Sequence, residues 1–400
     1  MKKVLMVLLL LAIAGGLFAQ TVTWFGYVRE VVTPLQGDFD NDPTMAWGDN
    51  ARVGARFTNE DKTAGASFRI GSGGNGASVA ADYAYAWWRP IEQLYVRFGK
   101  IDQEAIYWRD RGIIHWGLHA NDVNDVNLRP QFDWNEFAGN VAPSGIGCIA
   151  PDYLGNRQTV QLSILPMDGL YATFVMPVGE INGKGVRILS EDMLRRFMAE
   201  VTYSIPGAGQ ASIQYANSDD KDATINNPWT FDPETGAGKA PTQATSNNRP
   251  ANRLLSFIYG QPIGEMSIIA AVQLPIPVDG DMNHIDVGVG FGTGSKLGAL
   301  RINARVGAVI GFNGNDNQKI GLDIVPKYEI ASGLNFYLPV GFGIHVPPVG
   351  DTLFYWNVGP YITKALGGGN LFTGCVFYNG KGADKDTVYY RVPIAMIFSF

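Results

Sequence analysis

Charge is scarce in this chain of 400 residues: only 17% of it is Asp, Glu, Lys or Arg, against about 25% in an ordinary soluble domain. Cysteine (2) and histidine (4) are scarcer still, so no recurring Cys or His spacing marks a metal site. Basic residues (31) are outnumbered by acidic ones (37), which argues against nucleic acid as a partner. After residue 20 no stretch reaches the roughly 18 consecutive apolar residues of a membrane-spanning helix, and the helical period is nearly absent throughout. What the chain does have is 49 glycines, 12% aromatic residues and 46% hydrophobic residues. The glycines follow no period of three and the apolar fraction is high, so neither collagen nor a disordered chain fits.

The first 19 residues read as a secretory signal peptide. Lys2 and Lys3 supply the positive start, Val4 to Ile13 an apolar core, and Ala14 to Ala19 the small residues before a cut between Ala19 and Gln20. Residues 20–400 then read as one unit, because no linker separates two differently composed halves.

Alternation of period two recurs along that unit and predicts an all-β fold. Val53, Ala55 and Phe57 alternate with Arg52, Gly54 and Arg56; Ala64, Ala66, Phe68 and Ile70 follow the same rule. Val79, Ala81, Tyr83, Tyr85 and Trp87 are expected to form another apolar face, followed by Leu94, Val96 and Phe98. About 16 to 18 such strands fit the chain, at the length that membrane β-strands need. The connections alternate as well. Long polar ones (Thr33 to Asp49, Gly71 to Ser78, Ile101 to Leu154, Val178 to Asp192, Asn217 to Asn252) interleave with short ones such as Asn59 to Asp61, Pro166 to Gly169 and Ala331 to Gly333. Long loops on one rim and short turns on the other predict a transmembrane antiparallel β-barrel. The soluble alternative, a large sandwich or propeller, does not require that asymmetry.

Two segments carry a resemblance. Tyr390, Val392, Ile394, Met396, Phe398 and Phe400 make one apolar face ending on an aromatic residue, which resembles the terminal strand of outer-membrane barrels. The segment Ala84-Tyr85-Ala86-Trp87-Trp88-Arg89-Pro90, a turn, and Leu94-Tyr95-Val96-Arg97-Phe98-Gly99-Lys100 is similar to the porin hairpin that precedes the constriction loop. The chain thus resembles outer-membrane porins of the general and spirochaete type. That resemblance implies a bacterial outer-membrane location and no enzymatic activity or cofactor. Its implied partners are outer-membrane lipid, small hydrophilic solutes and ions, and a barrel assembly machinery that reads Phe400, with a homotrimer among the assemblies open to it.

The candidate site residues follow from parity. A cation on the lipid face at mid-bilayer costs about 2 to 4 kcal/mol, so arginines within strands are expected to face the lumen. Arg52, Arg56, Arg69 and Arg97 lie on the non-apolar parity of neighbouring strands, with Asp82 expected on the inward parity of the strand between them. Arg301 and Arg305 do the same further on. The longest connection, residues 101–154 after the fifth strand, is expected to fold inward as a constriction loop and to bring Asp102, Glu104, Asp122 and Asp125 toward the basic wall. The bland alternative is that these charges pair to fill a closed interior.

Other signals are weaker. His115 and His119 lack a third ligand, and Asp38, Asp40 and Asp42 resemble a calcium loop with Pro43 where glycine is needed. Cys148 and Cys375 could pair. No serine, histidine and acid set stands at a recognisable spacing. The function expected is a water-filled passive channel. Its rivals are a sugar-selective channel using Trp88, Tyr95 and Tyr337 as an aromatic track, and a surface adhesin using Asn217 to Asn252.

Overall fold

A computed structural model describes residues 21–72, 79–101, 159–177, 197–218, 230–231, 238–239, 252–264, 266–277, 281–282, 284–293, 298–314, 318–346, 350–379 and 386–400. The strands are β1 (Thr21–Asp38), β2 (Thr44–Thr58), β3 (Ala64–Ser72), β4 (Val79–Ile91), β5 (Leu94–Lys100), β6 (Thr159–Met167), β7 (Leu170–Pro177), β8 (Met198–Ile205) and β9 (Gly209–Ser218). A small hairpin, β10 (Thr230–Phe231) with β11 (Gly238–Lys239), stands apart from the main sheet. Then come β12 (Asn252–Ile263), β13 (Met266–Pro277), β14 (His284–Thr293), β15 (Leu300–Gly311), β16 (Gln318–Ala331), β17 (Leu334–Tyr337), β18 (Val340–Val346), β19 (Leu353–Val358), β20 (Tyr361–Leu366), β21 (Gly369–Gly374), β22 (Val376–Asn379) and β23 (Val388–Ser399).

Successive staves of the sheet pair antiparallel, and β23 returns to pair with β1 from Tyr27 facing Ser399 to Asp38 facing Tyr389. The sheet therefore closes into a barrel and leaves no edge. It holds 21 strand segments. Three staves are interrupted once each, as β17 with β18, β19 with β20, and β21 with β22, so the ring has 18 positions, the upper end of the expected range.

Proline causes those interruptions. Pro326 faces the Leu338-Pro339 step, which in turn faces the Gly359-Pro360 step and then Cys375, and register is unchanged across the gap. Leu338 N–H still donates to Pro326 O (3.0 Å), Gly359 N–H to Pro339 O (2.9 Å) and Cys375 N–H to Pro360 O (3.0 Å). The return bond is missing because proline has no N–H. The prolines align, so the missing donors share one seam.

Two rows show which face is which. Leu162, Phe174, Ala199, Tyr215 and Leu255 face one another across β6, β7, β8, β9 and β12, while the adjacent row is Ser163, Thr173, Glu200, Gln214 and Ser256. Every residue of the polar row is buried. Large apolar side chains on the other parity, among them Phe98, Leu162, Val201, Ile213, Phe257 and Val289, are exposed on the outer surface. Polar inside and apolar outside inverts a soluble core and is the arrangement a barrel in lipid requires. A packed sandwich would show the reverse.

Short turns lie on one rim and longer connections on the other. Gly169 and Gly333 hold φ of 78° and 69° in two of the short turns, a conformation that suits glycine. One expected loop is corrected. Thr33 to Asp49 is mostly strand, since β1 runs to Asp38 and β2 begins at Thr44. Pro34 is absorbed where the register shifts between Thr33 and Gln36. The acidic cluster there, which resembles the start of a calcium loop but has Pro43 where glycine is needed, is the hairpin turn itself: Asp38 Oδ1 accepts the N–H of Asp40 (2.9 Å) and of Asn41 (2.8 Å).

The fourth strand holds the main correction. Arg69 faces Tyr83 and Ile70 faces Ala81, so Asp82 is the extra residue of a β-bulge. Ala81 therefore keeps the outward parity expected of it, while Tyr83, Tyr85 and Trp87 turn to the lumen, reversing their expected face. Trp88, proposed for a lumenal aromatic track, is 52% exposed on the outer surface, on the same face as Val96.

Candidate functional site

The inner wall of β1 to β5 is built from arginines and aromatic rings. Tyr27 faces Arg52, Phe25 faces Gly54 and Thr23 faces Arg56; Gly54 in turn faces Arg69, and Arg69 faces Tyr83. Trp87 faces Arg97 on the same side. The guanidinium carbon of Arg52 lies 5.6 Å from the Tyr27 ring centre, Arg69 4.8 Å from Tyr83, and Arg97 5.0 Å from Tyr85 and 5.8 Å from Tyr95. Ring faces attract cations by about 0.5 to 1 kcal/mol in exposed sites and about 2 when desolvated. Stacking thus holds the side chains flat against the wall. Two glycines make room for the rings: a Cβ at Gly54 would come within 2.7 Å of Phe25, and one at Gly65 within 2.7 Å of Trp87. Arg56 is the exposed member of the set.

Arg97, only 5% exposed, opens a polar track that continues around the wall. Its Nε donates to Gln161 Oε1 (2.8 Å), Gln161 Nε2 donates to Ser163 Oγ (2.8 Å), and Ser163 shares a hydrogen bond with Thr173 (3.0 Å). Thr173 faces Glu200, whose Oε1 accepts from the hydroxyls of Thr202 (2.6 Å) and Ser212 (3.1 Å). A run of neutral groups that starts at a cation thus faces, across one register step, a second set of hydroxyls gathered on an anion. The sequence reading missed Gln161, Glu200, Thr202 and Gln214 because it followed arginine alone. Their signal was present as polar residues alternating with Leu162, Val201 and Ile213.

The structure brings Arg52, Arg56, Arg69 and Arg97 to one wall, as parity required. Arg301 lies elsewhere on the lumen, facing Lys327, and Lys327 Nζ sits 5.2 Å from the Tyr337 ring centre. Tyr337 stacks on Tyr361 at 4.5 Å between ring centres. Arg305 faces Asp323 in register; its side chain and that of Asp82 lie outside the described positions. So do residues 1–20, Asp102, Glu104, Asp122, Asp125, His115, His119 and Cys148. Cys375 falls on the seam between β21 and β22. Phe400 joins the first strand: its N–H donates to Gly26 O (3.1 Å) and its carbonyl accepts from Gly26 N–H (2.9 Å).

Solved structures share this architecture. The chain is similar to outer membrane protein opdK from Pseudomonas aeruginosa, with a TM-score of 0.53 at 9% identity over 96% of this chain and 99% of that one. The fold is that of an outer-membrane barrel. OpdL from the same organism gives a TM-score of 0.55 at 12% identity, covering 95% of this chain and 98% of that one. OccAB4 from Acinetobacter baumannii gives 0.54 at 9% identity, covering 96% and 98%. No family model matches the chain, and no curated protein matches it in sequence.

Proposed function

We propose that the protein is an outer-membrane porin, a water-filled channel for passive diffusion of ions and small hydrophilic solutes. The observation that carries this reading is the inverted sidedness of a closed ring of 18 staves, apolar without and polar within. A ring of that size is too wide for side chains alone to fill, so its interior holds water or inserted chain. Outer-membrane lipid covers the apolar band, and the assembly machinery reads the strand that ends at Phe400. The oligomeric state, monomer or homotrimer, is read from the mass of the folded species in detergent.

In this reading the stacked arginines give the lumen a fixed positive side. Residues 101–154 fold inward, and Asp102, Glu104, Asp122 and Asp125 form the opposing negative side. Opposite charges across a water-filled gap set a transverse field, which orients dipolar solutes and fixes ion preference. Single-channel recording in planar bilayers tests the function: a porin gives steady current, whereas an adhesin barrel gives none. Under a salt gradient, Arg56→Glu moves the reversal potential toward cations, and neutralising Asp122 and Asp125 together moves it toward anions. If both variants retain the native reversal potential, these residues do not line the narrowest point.

A further inference from the structure

Two cations face each other across adjacent strands at one place on the inner wall. Arg301 of β15 is in register with Lys327 of β16, on the parity that also carries the buried Val309 and Val325. β15 begins at Leu300 and β16 ends at Ala331, so the pair stands near the short-turn rim of the lumen. Around the ring of 18, β15 lies ten staves from β3 one way and eight the other. The pair therefore looks toward the arginine wall from nearly the far side.

Like charges directly opposite each other destabilise a strand pair. Both side chains are half-buried, and among the described residues neither forms an ion pair with a carboxylate. Glu329, two residues further along the same parity of β16, is exposed toward the rim and in register with Asn335. Aromatic rings hold the lysine in place: its Nζ lies 5.2 Å from the centre of the Tyr337 ring, and Tyr337 stacks on Tyr361 with 4.5 Å between centres and 6° between planes. Both rings are buried, and Val325 and Phe372 pack with them. This apolar floor fixes the ammonium and lowers the local dielectric, which strengthens its pull on an anion. Arg301 flanks Lys327 on the side away from the rings.

We propose that Arg301 and Lys327 form a binding site for a phosphate group, carried by inorganic phosphate or by a phosphorylated solute. The guanidinium fork takes two oxygens of a tetrahedral oxyanion, and the ammonium takes a third as a point charge. A phosphate monoester bears about −1.5 to −2 charges at neutral pH, the match of two cations. A carboxylate offers one charge and two oxygens. Repulsion between the cations is relieved when a dianion bridges them. The inference rests on the channel reading above and adds a solute class to it.

Wild-type protein in a planar bilayer carrying chloride is titrated with inorganic phosphate at constant ionic strength, with acetate as the comparison anion. Phosphate is expected to lower the chloride current saturably, at concentrations where acetate does not. A parallel titration with glycerol 3-phosphate separates the sources: block by it assigns the site to phosphorylated solutes, and block by phosphate alone to the free ion. Arg301→Gln and Lys327→Gln each weaken the block by about tenfold, the loss of one charge-assisted contact. Either change relieves the repulsion, so both variants keep the heat-modifiable folded form. Lys364→Gln removes a cation that is exposed on the outer parity near the same rim, in register with Leu334 and Leu371, and leaves the block at the wild-type value. Equal block by acetate, native phosphate affinity in both lumenal variants, or an equal loss in Lys364→Gln overturns the phosphate site while leaving the channel intact. A wild-type protein that gives no current overturns the channel reading, and the phosphate site with it.

Discussion

Arg97 shows how a charge is kept in a wall that buries almost all of it. Two tyrosine faces and the Gln161 carbonyl surround its guanidinium, and Gln161 hands the bond on to Ser163 and Thr173. Replacing arginine by an apolar side chain of similar length leaves Gln161 Oε1 buried without that donor. Such an orphan costs about 1 to 3 kcal/mol. Arg97→Met is therefore expected to lower the unfolding free energy of the barrel, read from urea titration in lipid vesicles, by that amount and to shift the midpoint down, while Arg97→Lys, which keeps the charge but not the planar fork, loses less. An unchanged midpoint in Arg97→Met would show that the track contributes nothing to stability.

Among the elements, β4 is the one that alternation alone misreads. Its aromatic residues fit an apolar face, and strict period two sends them to the lipid. The extra residue at Asp82 shifts the count by one, and a shift of one exchanges the two faces. This makes a specific expectation. Deleting Asp82 removes the bulge yet leaves Ala81 outward and Tyr83 inward, since the two then alternate directly. The deletion variant should still give a heat-modifiable folded band and open-channel current. Loss of the folded form would mean that the bulge is needed for assembly and is more than a device for re-aiming side chains.

For the whole molecule, closure is the decisive event, because a barrel in lipid tolerates no unpaired edge. Closure runs along β1 and β23 and finishes at Phe400, bonded both ways to Gly26. Gly26 has no side chain where a Cβ would meet Arg52 O and lie 2.8 Å from the Phe400 ring. Deleting Phe400 removes both backbone bonds, at about 0.5 to 1.5 kcal/mol each, and uncovers the end of β1. Both the deletion and Gly26→Leu should lower the amount of heat-modifiable, membrane-inserted protein while secretion continues. Normal amounts in both variants would count against a role for this contact in assembly.

Alternation and turn chemistry are local, so the sequence by itself determined the all-β class, the strand number, the alternation of long and short connections, and the inward parity of Arg52, Arg56, Arg69 and Arg97. Each arginine could be placed because its own neighbours in the chain are apolar. Cross-strand register is different, being a property of pairs that lie far apart in sequence. Only the closed sheet decided that Asp82 is a bulge, that Arg97 opens a hydrogen-bonded run through Gln161 and Ser163 to Thr173, and that Asn357 lies against Gly341. A residue's face is written in its immediate neighbours, but what it meets across the sheet is fixed by how the strands pair.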